Sequence, residues 1–130
     1  MGGVVHFEIP ADNNERANTF YQSAFGWTLM PMEGMEYTAA ITAPTNEETG
    51  TPNEPGAING ALFPRTEALK TPILTIDVED VDAALAQVES AGGSVVQAKD
   101  AVPAMGWYAY FKDTEGNVLG VWQTDTSAGT

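Results

Sequence analysis

Residues 6–30, HFEIPADNNERANTFYQSAFGWTLM, laid without gaps on residues 73–97, ILTIDVEDVDAALAQVESAGGSVVQ, decide the fold. At an offset of 67 residues Ile9 meets Ile76, Ala17 meets Ala84, Ser23 meets Ser90, Ala24 meets Ala91 and Gly26 meets Gly93. Element types coincide as well. Each segment opens with β-formers: Val4, Val5, Phe7 and Ile9 in one, Ile73 to Ile76 and Val78 in the other. Each then meets an acid or amide, near Asp12–Asn13 and near Asp80, of the kind that accepts hydrogen bonds from the free amides of a helix's first turn. Asp12 with Glu15 three residues on has the spacing of a capping box.

A helix is predicted after each cap. Ala17, Phe20, Tyr21, Ala24 and Phe25 fall at i, i+3, i+4, i+7 and i+8, and Val81, Ala84, Leu85 and Val88 at i, i+3, i+4 and i+7. Both stripes are expected to pack as core. Gly26 and the pair Gly92–Gly93 end the helices, because glycine accepts the left-handed backbone found there. Three strand candidates follow in each copy: 27–30, 37–43 and 57–63 in the first, 94–97, 107–112 and 118–123 in the second. The first copy carries an extra segment, residues 44–56, PTNEETGTPNEPG, with turn formers and no strand or helix pattern, read as a surface loop. The second closes the same gap with a tight turn at Asp113–Asn117. Residues 125–130 are expected to fray.

These elements predict an α+β chain of one domain, residues 1–130, made of two tandem βαβββ modules at about 4–63 and about 72–123. With 130 residues the chain is long enough to bury a core without a staple, and it has no cysteine, which removes disulfides, thiolate metal sites and cysteine nucleophiles. Eighteen acidic against five basic residues give a net charge of −13. Such a surface repels phosphate backbones and anionic bilayers, so neither nucleic acid nor membrane is an expected partner. The first residues lack the basic-then-apolar pattern of a signal peptide, and a cytoplasmic location is expected.

With His6 in the first strand, Phe20-Tyr21 leading to Phe25-Gly26-Trp27, and the late segment DTEGNVLGVW, the chain resembles the vicinal oxygen chelate superfamily, the group of glyoxalases, bleomycin-resistance proteins and extradiol dioxygenases. The resemblance spans about residues 4–124, with Thr114 where proline is common. It implies modules whose sheets curve around a cleft, and a homodimer. It further implies a metal held by four ligands, one in the first and one in the last strand of each module. His6 matches the first position. Its repeat partner is Ile73, and the last-strand positions fall at Gly60 and Gly120. One imidazole does not hold a divalent ion against water, because a catalytic metal normally takes three or more protein ligands. No cofactor is therefore expected, and metal-dependent glyoxalase chemistry, which needs the ion to stabilise an enediolate, is disfavoured. A divalent metal assisted by Glu8 remains the alternative.

Alternation assigns faces. With Phe7 and Ile9 against the helices, His6 and Glu8 face the cleft; with Leu74 and Ile76 packed inward, Ile73, Thr75 and Asp77 face it. Gly60, Gly120, Trp122, Tyr108 and Tyr110 are assigned to the same side. The expected ligand-binding residues are His6, Glu8, Thr75, Tyr108, Tyr110 and Trp122. An aromatic wall in acidic surroundings suits a cationic or aromatic small molecule. Two readings follow: a metal-independent binder, as the bleomycin-resistance branch implies, or a lyase, isomerase or dioxygenase-type enzyme using Glu8 and His6 as base and acid.

Overall fold

A computed structural model of the chain describes residues 2–130. Its elements run β1 (Val4–Ala11), α1 (Asn14–Phe25), β2 (Thr28–Pro31), β3 (Thr38–Ile41), β4 (Asn59–Pro64), β5 (Ile73–Asp77), α2 (Val81–Ser90), β6 (Ser94–Val102), β7 (Gly106–Lys112) and β8 (Val118–Thr124). The predicted α+β fold with two tandem βαβββ modules is what the chain adopts. It divides into two compact units, His6–Pro72 and residues 2–5 with Ile73–Thr130. Within the first unit β2 and β3, and β3 and β4, pair antiparallel, and β1 pairs parallel with β4. The second repeats this pattern: β6 with β7 and β7 with β8 antiparallel, β5 with β8 parallel. Residues 2–5 belong by packing to the second unit, where the Asp77 N–H donates to the Gly3 carbonyl at 2.9 Å.

The caps obey the repeat. Asn13 and Asp80, 67 residues apart, hold extended backbone and accept from the N–H groups of Arg16 and Ala83 at 2.9 and 3.1 Å. Asp12 forms no capping box; it binds Arg65 Nε at 2.9 Å instead. Gly26 ends α1 at φ 73°, in the left-handed region that penalises a Cβ. The second unit buries a compact core of Val81, Leu85, Ala109, Phe111 and Val121 between α2 and its sheet. Leu74, expected to pack inward, stays exposed and takes no part in that core.

Helix α1 departs from the expectation. It contains no buried residue, and Phe20 and Phe25 are 56% and 66% exposed. Its inner side runs through Ala17, Asn18 and Tyr21, all half-buried. Phe20 therefore lies on a flank, and Phe25 sits on the last turn with its ring 6.2 Å from that of Trp27. The rings stack on one another instead: Tyr21 lies parallel to Trp27 with centroids 4.8 Å apart, and Trp27 leans on Phe7 at 5.5 Å.

The C-terminal residues do not fray. The Ala104 N–H donates to the Ala128 carbonyl at 2.9 Å, Trp107 Nε1 donates to Asp125 Oδ2 at 3.0 Å, and Ala128 is fully buried. Those hydrogen bonds to Trp107 and Ser127 hold the Asp125 carboxyl below the usual carboxylate range, the Ser127 side chain contributing most.

Candidate functional site

In the first unit the parallel register fixes which side chains share a face. Phe7 lies beside Gly60 and Ile9 beside Leu62; His6 lies beside Asn59 and Glu8 beside Ala61. The Phe7 face is the helix side, since Thr38, in register with Leu62, donates its hydroxyl to Asn14 of α1 at 3.3 Å. His6, Glu8, Asn59 and Ala61 therefore occupy the helix-free side. Gly60 does not, contrary to expectation: a Cβ there would strike the carbonyl and ring of Phe7. The residue facing the same way as Glu8 is Ala61.

Glu8 is 6% exposed. His6 Nε2 and the Tyr37 hydroxyl lie 2.8 Å apart. Burial pushes the imidazole down from 6.5 to about 4, because its cation is poorly solvated there. At neutral pH the ring is uncharged, and with Nε2 unprotonated the phenol O–H donates to it. Next in line, buried Asn59 pins the segment that leaves β3. Its Oδ1 accepts from the Thr42 N–H at 2.9 Å, and its Nδ2 donates to Thr45 Oγ1 at 2.8 Å. Neither Tyr37 nor Asn59 was singled out in the sequence. Alternation of Tyr37, Ala39 and Ile41 along β3 would have placed Tyr37 on the His6 side, whereas nothing local marks Asn59 apart from a lone amide in an apolar run.

In the second unit the helix-free face gathers four of the predicted residues. Thr75 and Tyr110 both register with Gly120, and Tyr108 with Trp122. Asp77 also registers with Trp122. The Tyr108 and Tyr110 rings meet edge-on with centroids 5.9 Å apart. Thr75 is 5% exposed, and its Oγ1 has no hydrogen-bond partner among the described residues. A Cβ placed on Gly120 would lie 3.2 Å from that oxygen and 3.4 Å from the Tyr110 ring. Gly120 thus lets a buried hydroxyl and an aromatic ring close in on the strand, where even a Cβ would be crowded. Ile73 is 1% exposed and acts as packing.

A divalent ion does not fit these residues. Of the four positions the resemblance assigns to ligands, only His6 offers a donor; Ile73 and Gly120 offer none, and neither does Ala61, which replaces Gly60 once the register is known. No group of three His, Asp or Glu side chains among the described residues is arranged to hold a metal.

The sequence model of the Glyoxalase/Bleomycin resistance protein/Dioxygenase superfamily matches residues 3–121. Among solved structures, a hypothetical protein from Bacillus halodurans C-125 aligns over 99% of both chains at 11% identity and a TM-score of 0.63. The methylmalonyl-CoA epimerase of Streptomyces coelicolor, solved with 2-nitronate-propionyl-CoA, aligns over 98% of both at 16% identity and 0.63. That of Mycobacterium tuberculosis covers 95% of this chain and 88% of its own at 18% identity and 0.61. At these identities the likeness is one of fold. A search among curated proteins found no match. No helix among the described residues is long and apolar enough to cross a membrane.

Proposed function

Because the chain belongs to the Glyoxalase/Bleomycin resistance protein/Dioxygenase superfamily, we propose that it binds a small aromatic or cationic molecule on the helix-free sides of its modules and does so without a resident metal. The observation that carries this reading is the set of side chains at the family's ligand positions: one imidazole, one isoleucine, one glycine and one alanine. Within the second unit, on the side of its sheet that carries Ile73 and Gly120, stand Tyr108, Tyr110 and Trp122, aromatic side chains of a kind that suits a planar or cationic group. Thr75 adds a buried hydroxyl with no hydrogen-bond partner among the described residues, a polar anchor of the kind that fixes a ligand's orientation.

An acyl-CoA ester is a poor candidate despite the epimerase likeness. Its phosphates need cations, and of five basic side chains three already pair with acids, Arg65 with Asp12, Lys70 with Glu67 and Lys99 with Asp82. A cytoplasmic homodimer is part of the same proposal, with the exposed rings of Phe20 and Phe25 as apolar surface for self-association.

The second reading is an enzyme. Burial of the Glu8 carboxyl favours it, since buried titratable groups gather at catalytic sites. The neutral His6 ring counts against the role of general acid, as it carries no second proton to give near pH 7. A thermal-shift screen of metabolites and drugs, followed by analysis of the bound molecule, separates the two. Recovery of an unchanged ligand supports binding. Recovery of a converted product, abolished by Glu8→Gln, overturns it in favour of catalysis.

A further inference from the structure

Away from His6 and Glu8, at the outer edge of the same sheet face, the first unit holds a cavity of about 730 Å3 built from β2, β3 and the segment that follows. Its volume lies inside the range of sites for drug-sized molecules. Thr28 and Ile41 register with each other, and Met30 registers with Ala39. Ala39 in turn registers with Ala61, and Ala61 with Glu8. One row across the sheet therefore runs Met30, Ala39, Ala61, Glu8, and Met30 lies three strands out from Glu8, about 14 Å away. Ala61, fully buried, lies between them. The cavity is thus a place of its own on the helix-free side.

Its lining is specific in kind. Met30, Ile41, Ala43 and Pro44 supply an apolar floor, Thr28 a hydroxyl and Glu47 a carboxylate; no Lys, Arg or His takes part. Met30 is 53% exposed, a large apolar side chain without cover whose thioether packs well on aromatic rings. The wall that carries Glu47 is preformed. Thr45 bridges to Pro52, Asn46 Oδ1 accepts from the N–H groups of Glu48 and Thr49 at 2.9 and 3.2 Å, and Asn59 ties Thr42 and Thr45 to the sheet. Residues 44–56 also carry Glu48 and Glu54, outside the lining, and no basic residue, in a chain whose net charge is −13.

We infer that this cavity is a binding site for a small organic cation with an apolar, preferably aromatic, body: the ring on Met30 and Ile41, the ammonium beside Glu47. Charge decides the occupant, since an anion would meet the Glu47 carboxylate with no cationic side chain in the lining to offset it, whereas an ammonium gains that charge as a partner.

The test uses three probes of one shape, phenylpropylamine, phenylpropanol and phenylbutanoate, titrated into the 15N-labelled full chain and followed by amide chemical shifts. The amine is expected to move the amides of Ile41, Thr42, Asn46, Glu47 and Gly50 and to bind about five-fold tighter than the alcohol at low salt, with the carboxylate weakest. Glu47→Gln, on an exposed loop, should bring amine and alcohol to within about two-fold, as should molar salt. Ile41→Ala should weaken both, with the spectrum's dispersion as the check on folding. Equal binding of amine and alcohol overturns the inference, as does a lack of any shift at millimolar amine. Shifts centred on Thr75 and Tyr110 also overturn it, while supporting the function proposed above.

Discussion

Replacing Thr75 by valine should make the protein more stable and a worse binder. The two side chains have nearly the same shape, so the substitution exchanges a hydroxyl for a methyl. Thr75 is 5% exposed, and its Oγ1 has no partner among the described residues. Leaving such a group buried and unsatisfied costs roughly 1–3 kcal/mol. The slightly larger methyl meets no side chain from Gly120, the residue in register with Thr75. Allowing for imperfect fit, a gain of about 1 kcal/mol is expected, or about 4 °C in Tm for a domain of this size. Ligand affinity should fall about ten-fold if the hydroxyl is kept for a ligand hydrogen bond, since a charge-assisted or buried bond lost to a bound group is worth roughly 1.5 kcal/mol. Calorimetry gives the first quantity, and titration with any ligand from the thermal-shift screen gives the second. A Tm that drops in Thr75→Val would refute the reasoning, for it would mean that the hydroxyl already has a partner in the free protein.

His6 makes stability depend on pH in a defined window. Its folded value, about 4, lies below the unfolded 6.5, so the unfolded chain binds the extra proton between them. Stability should rise with pH across that interval and level off above it, by up to about 3 kcal/mol; His6→Gln should flatten the slope in denaturant titrations from pH 4 to 7. Asn59→Ala removes the amide that holds Thr42 and Thr45. It should destabilise by about 2 kcal/mol and speed amide exchange in residues 42–53 more than in α2. Deleting residues 126–130 uncovers the surface on which Ala128 is fully buried and should lower Tm by several degrees, about 1 kcal/mol; an unchanged Tm would mean that the tail is loose in solution. Phe20→Glu with Phe25→Glu should lower Tm by only about 4 °C, because both rings are exposed and give up no more than contacts with Tyr21 and Trp27, yet shift sedimentation from dimer towards monomer.

The duplicated module was legible because local chemistry repeats along with hydrophobicity. Asn13 and Asp80 cap helices at one offset, and alternation placed Thr75, Tyr108, Tyr110 and Trp122 on one side before any register was known. What the sequence hid were facts of partnership. The α1 stripe tells which side is apolar, not how much lies beneath it, so Phe20 and Phe25 read as core. Aligning first strands at an offset of 67 and last strands, Gly60 to Gly120, at 60 seemed equally natural, yet the pairing of Phe7 with Gly60 against Thr75 with Gly120 shows that the two offsets disagree by one residue. In a strand one residue is the difference between two faces. Residues 44–56 and 125–130 looked formless because their order comes from distant groups, Asn59 in one case and Trp107 in the other.

The most direct check is native mass spectrometry of freshly purified protein at neutral pH, before any chelator is added. A chain mass without a stoichiometric metal, carrying an organic adduct that leaves on mild activation, is the outcome expected of a binder whose ion-holding corners have been replaced. One zinc, nickel or iron per chain, surviving desalting, would contradict that picture.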